Sequence, residues 1–132
     1  MSLAYDYLIF MAGIICGLIL FQSSVIAPTV FRVLDLEDAG AFLRNVFPRF
    51  FILIMACSLL MLILVALSDS SDKSRFMLPV ANLVFSGVSY LVIPATNRAK
   101  DDGEEKKFKA LHSLTVALTL LMLILNITWW LF

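Results

Sequence analysis

The chain has 132 residues, of which 61% are hydrophobic and 15% are charged, and its ten basic and ten acidic side chains cancel in formal charge. Its mean hydropathy is +0.97, whereas soluble domains are about half apolar and about a quarter charged. This composition excludes a disordered tail, a nucleic-acid-binding protein that relies on a basic surface, and a disulfide-stapled secreted module. It indicates a small integral membrane protein.

Four long apolar segments predict four membrane-spanning helices. The predicted spans 1 to 4 cover residues of about 5–34, 36–67, 75–97 and 103–132. A helix needs roughly 20 apolar residues to cross a hydrocarbon core of about 30 Å. Strands are not expected, because the segments lack a period-two alternation and a lone short sheet could not close in lipid. We therefore predict a single all-α membrane domain over residues 1–132.

Span 1 is expected to remain a membrane span and not to act as a cleaved signal peptide. It has no basic segment before its apolar stretch, and that stretch is longer than a signal-peptide core. Gly13 and Gly17 form a GxxxG pattern, which allows two helices to approach closely. We expect these glycines to pack span 1 on a neighbouring helix of the same chain, with dimerisation as the less favoured alternative.

The connections between spans carry signals for helix ends. Asp35, followed by Glu37 and Asp38, predicts that the helix of span 2 begins there, since acidic residues stabilise a helix N-terminus. Residues 102–105 predict an Asp-x-x-Glu cap for span 4, and residues 68–73 predict a short polar turn before span 3. Short connections make neighbouring spans antiparallel, so we predict an up-down-up-down bundle.

The distribution of Lys and Arg predicts the orientation. Eight basic residues lie near the first and third connections: Arg32, Arg44, Arg49, Arg98, Lys100, Lys106, Lys107 and Lys109. The opposite end has only Lys73 and Arg75. Because basic residues are retained in the cytoplasm, both connections are predicted to be cytoplasmic and both termini outside, in the plasma or inner membrane. Four aromatic residues would then form the outer interfacial belt: Tyr5, Tyr7, Trp129 and Trp130.

Two cysteines lie in the middle of the first two spans. Cys16 and Cys57 are each about 15 Å from the predicted outer surface at 1.5 Å per residue. Thiol and thioether ligands select soft metal ions such as Cu(I), and several methionines lie at nearby depths: Met11, Met55, Met61 and Met122. We retain Cys16, Cys57 and His112 as weak candidate metal ligands. The more favoured alternative is that these cysteines and methionines are ordinary packing residues.

A cluster of polar residues and prolines is predicted near the cytoplasmic ends of the spans. Its candidate pocket residues are Pro28, Arg44, Pro48, Arg49, Pro94, Asn97 and His112. Each proline frees a backbone carbonyl, so the carbonyls together with a neutral His could bind a cation. The arginines favour an anion such as a phosphate head group. In the structural alternative, the prolines only kink the helices and the arginines extend to the interface.

Several enzyme classes are not expected. A single histidine cannot supply two haem ligands or the ligand set of a catalytic zinc, and no P-loop or GxSxG pattern is present. Acidic residues other than Asp6 lie in connections or helix starts, which leaves no carboxylate for a proton relay within a span. We predict that the protein is not an enzyme, and the residues identify no cofactor.

Four short motifs resemble the transmembrane protein 205-like family. They are Ala27-Pro28-Thr29-Val30-Phe31, the segments 46–51 and 94–97, and Phe108-Lys109-Ala110-Leu111-His112-Ser113. This family consists of four-helix membrane proteins with a domain of unknown function, and more remotely the chain is similar to the copper-resistance D type. The resemblance implies the fold, the cytoplasmic-side motif cluster and a link to metal tolerance, but no catalytic mechanism. Ser113 and Thr119 depart from the Gly and Asn that the pattern predicts.

Three functional hypotheses follow. The first is transport of, or tolerance to, a metal ion or small solute, which would require an oligomer because four spans enclose little space. The second is an accessory or assembly subunit of a larger membrane complex. The third is a quinone- or lipid-binding protein that uses the cluster around His112. The predicted partners are therefore the lipid bilayer and either further copies of the chain or a larger complex, without nucleic acid.

Overall fold

The computed structural model describes residues 3–68 and 71–131, and within them all regular structure is helical. The described residues include four continuous helical segments that are long and apolar enough to cross a membrane: Tyr5–Val33, Leu36–Ala66, Lys73–Asp101 and Glu105–Leu131. The predicted all-α, four-span fold is thus confirmed, and spans 1 to 4 hereafter denote these ranges. Asp69 and Ser70 of the predicted polar turn, and Phe132 at the end of predicted span 4, lie outside the described residues.

Each span is built from one or more helical elements. Span 1 combines α1 (Leu3–Phe21), a π-helical segment (Gln22–Ile26) and α2 (Ala27–Val33), and span 2 is α3 (Leu36–Ala66). Span 3 is a 3₁₀ turn (Lys73–Phe76) followed by α4 (Met77–Asp101). Span 4 is α5 (Glu105–Thr128) followed by a 3₁₀ turn (Trp129–Leu131).

The π-helical segment in span 1 lies immediately before Pro28. The N–H of Ala27 donates to the carbonyl of Gln22, five residues earlier. In a regular α-helix the ring of Pro28 would clash with the carbonyl of Ser24 and would lack an N–H to bond it. The wider π turn accommodates the proline, and π segments of this kind are frequent at functional sites.

The predicted start of span 2 is confirmed by its N-cap. Asp35 has an extended backbone conformation, and its carboxylate accepts a hydrogen bond of 2.9 Å from the backbone N–H of Asp38. This bond satisfies one of the N–H groups that have no partner inside the helix.

The predicted Asp-x-x-Glu cap of span 4 is wrong. Asp102 is the C-cap of α4, whereas Glu104 is the N-cap of α5 and makes no side-chain capping bond. Gly103 has a φ of 70°, and the N–H of Glu104 donates to the carbonyl of Ala99 over 2.9 Å. This is a Schellman motif. The chain therefore reverses direction between α4 and α5 because a glycine in the left-handed conformation ends α4.

The four spans pack in a ring. Each span packs against its neighbours in the sequence, and α1 also packs against α5, which closes the ring. The rings of Tyr5 and Trp129 lie 5.4 Å apart, so span 1 begins at the end of the bundle where span 4 finishes. The core between the spans contains the following residues: Leu8, Ile15, Ile19, Ile54, Met61, Leu78 and Met122.

The expected packing role of Gly13 and Gly17 inside the chain is also wrong. Both glycines are exposed, and a Cβ atom on either would meet no atom within 4 Å. The buried face of α1 is formed by Leu8, Ala12, Ile15 and Ile19. At about 100° per residue these four residues share one side of the helix, and the two glycines lie on the opposite side.

A candidate binding cavity at the basic end

A cavity of about 1000 Å³ opens at the basic end of the bundle, which we define as the end formed by the first and third connections. Ligand cavities for small molecules commonly measure roughly 300–1000 Å³. All four spans contribute to its wall. The apolar part of that wall consists mainly of the following residues: Phe31, Leu36, Phe47, Phe50, Phe51, Ile93, Phe108, Val116 and Leu120.

Apart from four charged residues, the polar groups on the cavity wall are amides, hydroxyls and one imidazole. They are Gln22, Ser23, Thr96, Asn97, His112, Thr115 and Thr119. The threonine hydroxyls donate to carbonyls of their own helices: Thr96 to Val92 over 2.9 Å, Thr115 to His112 over 2.8 Å, and Thr119 to Thr115 over 2.7 Å. Their oxygen lone pairs therefore remain to accept hydrogen bonds.

The charged residues on the wall carry no net formal charge. Two acidic residues, Glu37 and Asp101, balance two basic residues, Arg44 and Lys100. Arg44 of span 2 binds Asp101 of span 3 with two parallel hydrogen bonds, Nη1 to Oδ2 over 3.1 Å and Nη2 to Oδ1. The two side chains are 40% and 57% exposed, so we expect this pair to fix the geometry of the cavity mouth more than to stabilise the fold.

Lys100, Phe108 and His112 form a stack across the third connection. The Lys100 Nζ lies 4.8 Å from the centroid of the Phe108 ring, within range of a cation–π interaction. The rings of Phe108 and His112 are 5.6 Å apart and tilted by only 7°. The exposed His112 ring thus stacks on Phe108 at the wall of the cavity.

The structure brings together three of the seven residues predicted to line a pocket. Arg44, Asn97 and His112 lie on the wall of the cavity. The other four, Pro28, Pro48, Arg49 and Pro94, do not line it, which corrects their expected placement. Arg49 is exposed and its Nη1 instead donates to the carbonyl of Asn45 on its own helix over 3.4 Å. Arg49 lies about 140° around α3 from Arg44, on the side of the helix that contributes no residue to the cavity wall.

The candidate metal ligands do not form one cluster. Cys16 and Cys57 are free, half-buried thiols, and neither lines the cavity that His112 contacts. Within residues 3–68 and 71–131, no group of three or more His, Cys, Asp or Glu side chains is arranged to hold a metal ion. A soft-metal site stays a prediction from the residue types.

A buried amide pair joins spans 3 and 4, and neither of its residues is among the predicted site residues. Asn82 of span 3 and Asn126 of span 4 are buried and exchange two hydrogen bonds, of 3.1 and 2.7 Å. Asn126 also donates to the carbonyl of Met122 over 2.7 Å. An Asn inside an apolar segment is the signal that could have identified both residues, because polar groups at membrane depth seek partners.

Comparison with known proteins places the chain in a family. Residues 10–105 match a family described as a domain of unknown function (DUF4149). An uncharacterised protein of Aquifex aeolicus (strain VF5) is 32% identical over 115 residues, which are 84% of this chain and 82% of that protein. No solved structure matches, and neither match shows a transmembrane protein 205-like or copper-resistance D-like relationship. Because the family match covers most of its length, this chain belongs to the DUF4149 family.

Proposed function

We propose that this protein binds a small amphipathic solute in the basic-end cavity and serves in the transport of that solute or in tolerance to it. The size and lining of the cavity carry this proposal. Its apolar wall suits the body of such a solute, and Asn97, His112 and the threonines suit a polar group. We assign the protein a binding role and no catalytic step.

A solute is favoured over a bare metal ion by the chemistry of the wall. Phenylalanine rings dominate the apolar lining, and the formal charges of the wall cancel. A divalent or monovalent cation would instead need several converging oxygen, nitrogen or sulfur ligands. The link to metal tolerance implied by the transmembrane protein 205-like resemblance therefore receives less support than solute binding.

The orientation and assembly are further parts of the proposal. The excess of Lys and Arg at the basic end supports a cavity that opens towards the cytoplasm, with both termini outside. Transport would require further copies of the chain, and the exposed Gly13–Gly17 face of α1 could carry such a contact.

Native mass spectrometry of the protein purified in mild detergent tests solute binding. We expect the wild-type protein to retain a small molecule, and His112→Phe to reduce its affinity about tenfold because a hydrogen-bonding group is lost. Ser113→Ala is the matched control, since Ser113 is exposed and does not line the cavity. Wild-type protein without any retained solute would contradict the proposal. A stoichiometric protein partner would favour the accessory-subunit alternative.

A further inference from the structure

The cavity wall is incomplete between span 1 and span 4. Before the π segment, α1 packs against α5; beyond it, α2 packs against α3 and makes no comparable contact with α5. Phe31 of α2 and Val116 and Leu120 of α5 nevertheless line the cavity. These three side chains are 58%, 43% and 52% exposed, respectively. The two helices thus border an opening, which we call the lateral gap.

The lateral gap reaches the depth of the hydrocarbon core. Val116 lies 11 residues beyond Glu105 on α5, and Gln22 lies 11 residues before Val33 on span 1, so the stretch of span 1 without a comparable contact to α5 extends about 16 Å from the basic end at 1.5 Å per residue. The side chains of Phe31 and Val116 on its two sides are apolar. In a membrane it would face acyl chains, because water does not solvate this depth.

The deep end of the cavity contains a hydrogen-bond donor without a partner. Gln22, in the π segment, lines the cavity and is 7% exposed. Its Nε2 is buried and has no hydrogen-bond acceptor among the described residues. A buried amide of this kind normally has a partner, and an oxygen atom of a ligand would supply it.

The charges near the mouth argue against a charged ligand. Arg44 is already bound to Asp101, and the Lys100 ammonium lies over the Phe108 ring. The groups left on the wall are mostly amides, hydroxyls and one imidazole. The amides of Gln22 and Asn97 and the imidazole can donate to the oxygen acceptors of a neutral head, whereas the threonine hydroxyls already donate within their own helices.

We propose that the ligand is a neutral membrane lipid whose head carries carbonyl oxygens, as in a quinone or an acylglycerol. It enters the cavity sideways from the bilayer, through the lateral gap between α2 and α5. A carbonyl oxygen of the head accepts a hydrogen bond from the Gln22 amide, and the apolar tail extends through the gap. This inference rests on the proposed function, since it names the solute that the same cavity binds.

Two matched alanine variants test the route of entry. Ala27 of α2 and Ala41 of α3 both line the cavity, and they lie six and five residues from the ends of their helices at the basic end. Only Ala27 belongs to a helix that borders the lateral gap. We expect Ala27→Trp to slow uptake of a lipid probe at least tenfold, and Ala41→Trp, which only takes up cavity volume, to slow uptake far less.

The probes are decylubiquinone and dioctanoylglycerol, added separately to phosphatidylcholine nanodiscs that contain the full chain. Native mass spectrometry counts the bound probe at intervals, and the two probes distinguish a quinone head from an acyl ester. Gln22→Leu should lower the affinity of the bound probe at least fivefold without slowing its uptake. Circular dichroism and thermal unfolding verify that each variant is folded, and Ala27→Leu replaces Ala27→Trp if the larger side chain prevents folding.

The outcomes separate this inference from the proposed function. If Ala27→Trp and Ala41→Trp slow probe uptake equally, the loss of cavity volume explains both effects, and lateral entry would be wrong. Unchanged affinity in Gln22→Leu would remove the amide contact. If neither probe binds while the wild-type protein retains another solute, the lipid class is wrong but the proposed function stands. If the wild-type protein retains nothing, both fail.

Discussion

At the residue scale, the Asn82–Asn126 pair is a polar interaction in the bundle interior in which each amide depends on the other for hydrogen bonds. Two buried amides face each other between spans 3 and 4 and satisfy one another. In an apolar interior an amide without a partner is costly, so the pair specifies how these two spans align.

The two halves of this pair should differ in their sensitivity to mutation. In Asn126→Leu, the Asn82 amide loses both hydrogen bonds to its partner. In Asn82→Leu, the Asn126 amide also loses these bonds but keeps its hydrogen bond to the Met122 carbonyl. We expect Asn126→Leu to cost more free energy of unfolding than Asn82→Leu, with each loss on the order of 1 kcal/mol. Denaturation in detergent measures both. The exposed Asn45→Leu is the control, and the double variant should lose less than the sum of the single losses.

At the element scale, the connections show how helix ends control the direction of the chain. Asp35 begins span 2 through a side-chain cap, while Gly103 reverses the chain between spans 3 and 4 through its left-handed backbone. In span 1 the π segment before Pro28 leads into α2, which packs on α3 and leaves the lateral gap beside α5.

Gly103→Ala should destabilise the bundle although the glycine has open space around it. A Cβ at Gly103 would meet nothing within 4 Å, but the φ of 70° disfavours any L side chain. We expect a loss of about 1–2 kcal/mol. Gly40→Ala is the matched control, because Gly40 is helical and also has no atom within 4 Å of a Cβ position. The control should be neutral or slightly stabilising, and equal losses in the two variants would contradict the backbone explanation.

Leucines at positions 13 and 17 should be tolerated by the folded monomer. Since nothing lies within 4 Å of either Cβ position, Gly13→Leu combined with Gly17→Leu should keep the wild-type unfolding temperature within a few degrees. Thermal unfolding in detergent measures this, and size-exclusion chromatography reports in parallel whether the outward face mediates self-association. A large fall in stability of the monomer would contradict the outward placement of these glycines.

At the scale of the whole molecule, the ring of four spans places both described chain ends at one end and the cavity at the other. The contact between Tyr5 and Trp129 marks the first end, and the Arg44–Asp101 pair marks the second. The direction in which the cavity opens therefore depends on the orientation of the whole bundle in the membrane.

We predict that the basic end is cytoplasmic, from eight basic residues there against two at the opposite end. A reporter that is active only in the cytoplasm should be inactive when it is fused to the C-terminus. The same reporter inserted after Gly103 serves as the control and should be active. The reverse pattern would overturn the orientation and the proposed cytoplasmic opening of the cavity.

Much of the fold could be predicted from the sequence, because its signals are local. The four spans follow from the lengths of the apolar segments, and the start of span 2 follows from Asp35 and the acidic residues after it. The common level of Arg44, Asn97 and His112 also follows from the sequence, since the rise of 1.5 Å per residue fixes depth along a helix.

The tertiary structure alone decided which side of each helix faces inward. Arg44 and not Arg49 lines the cavity, Gly13 and Gly17 face outward, and Asn82 meets Asn126. In a soluble protein the apolar stripe of a helix would indicate its buried face. In a membrane, lipid tails are as apolar as the protein interior, so hydrophobicity does not distinguish the buried face of a helix from its lipid-facing one. Side-chain packing and a few polar contacts determine which face is buried.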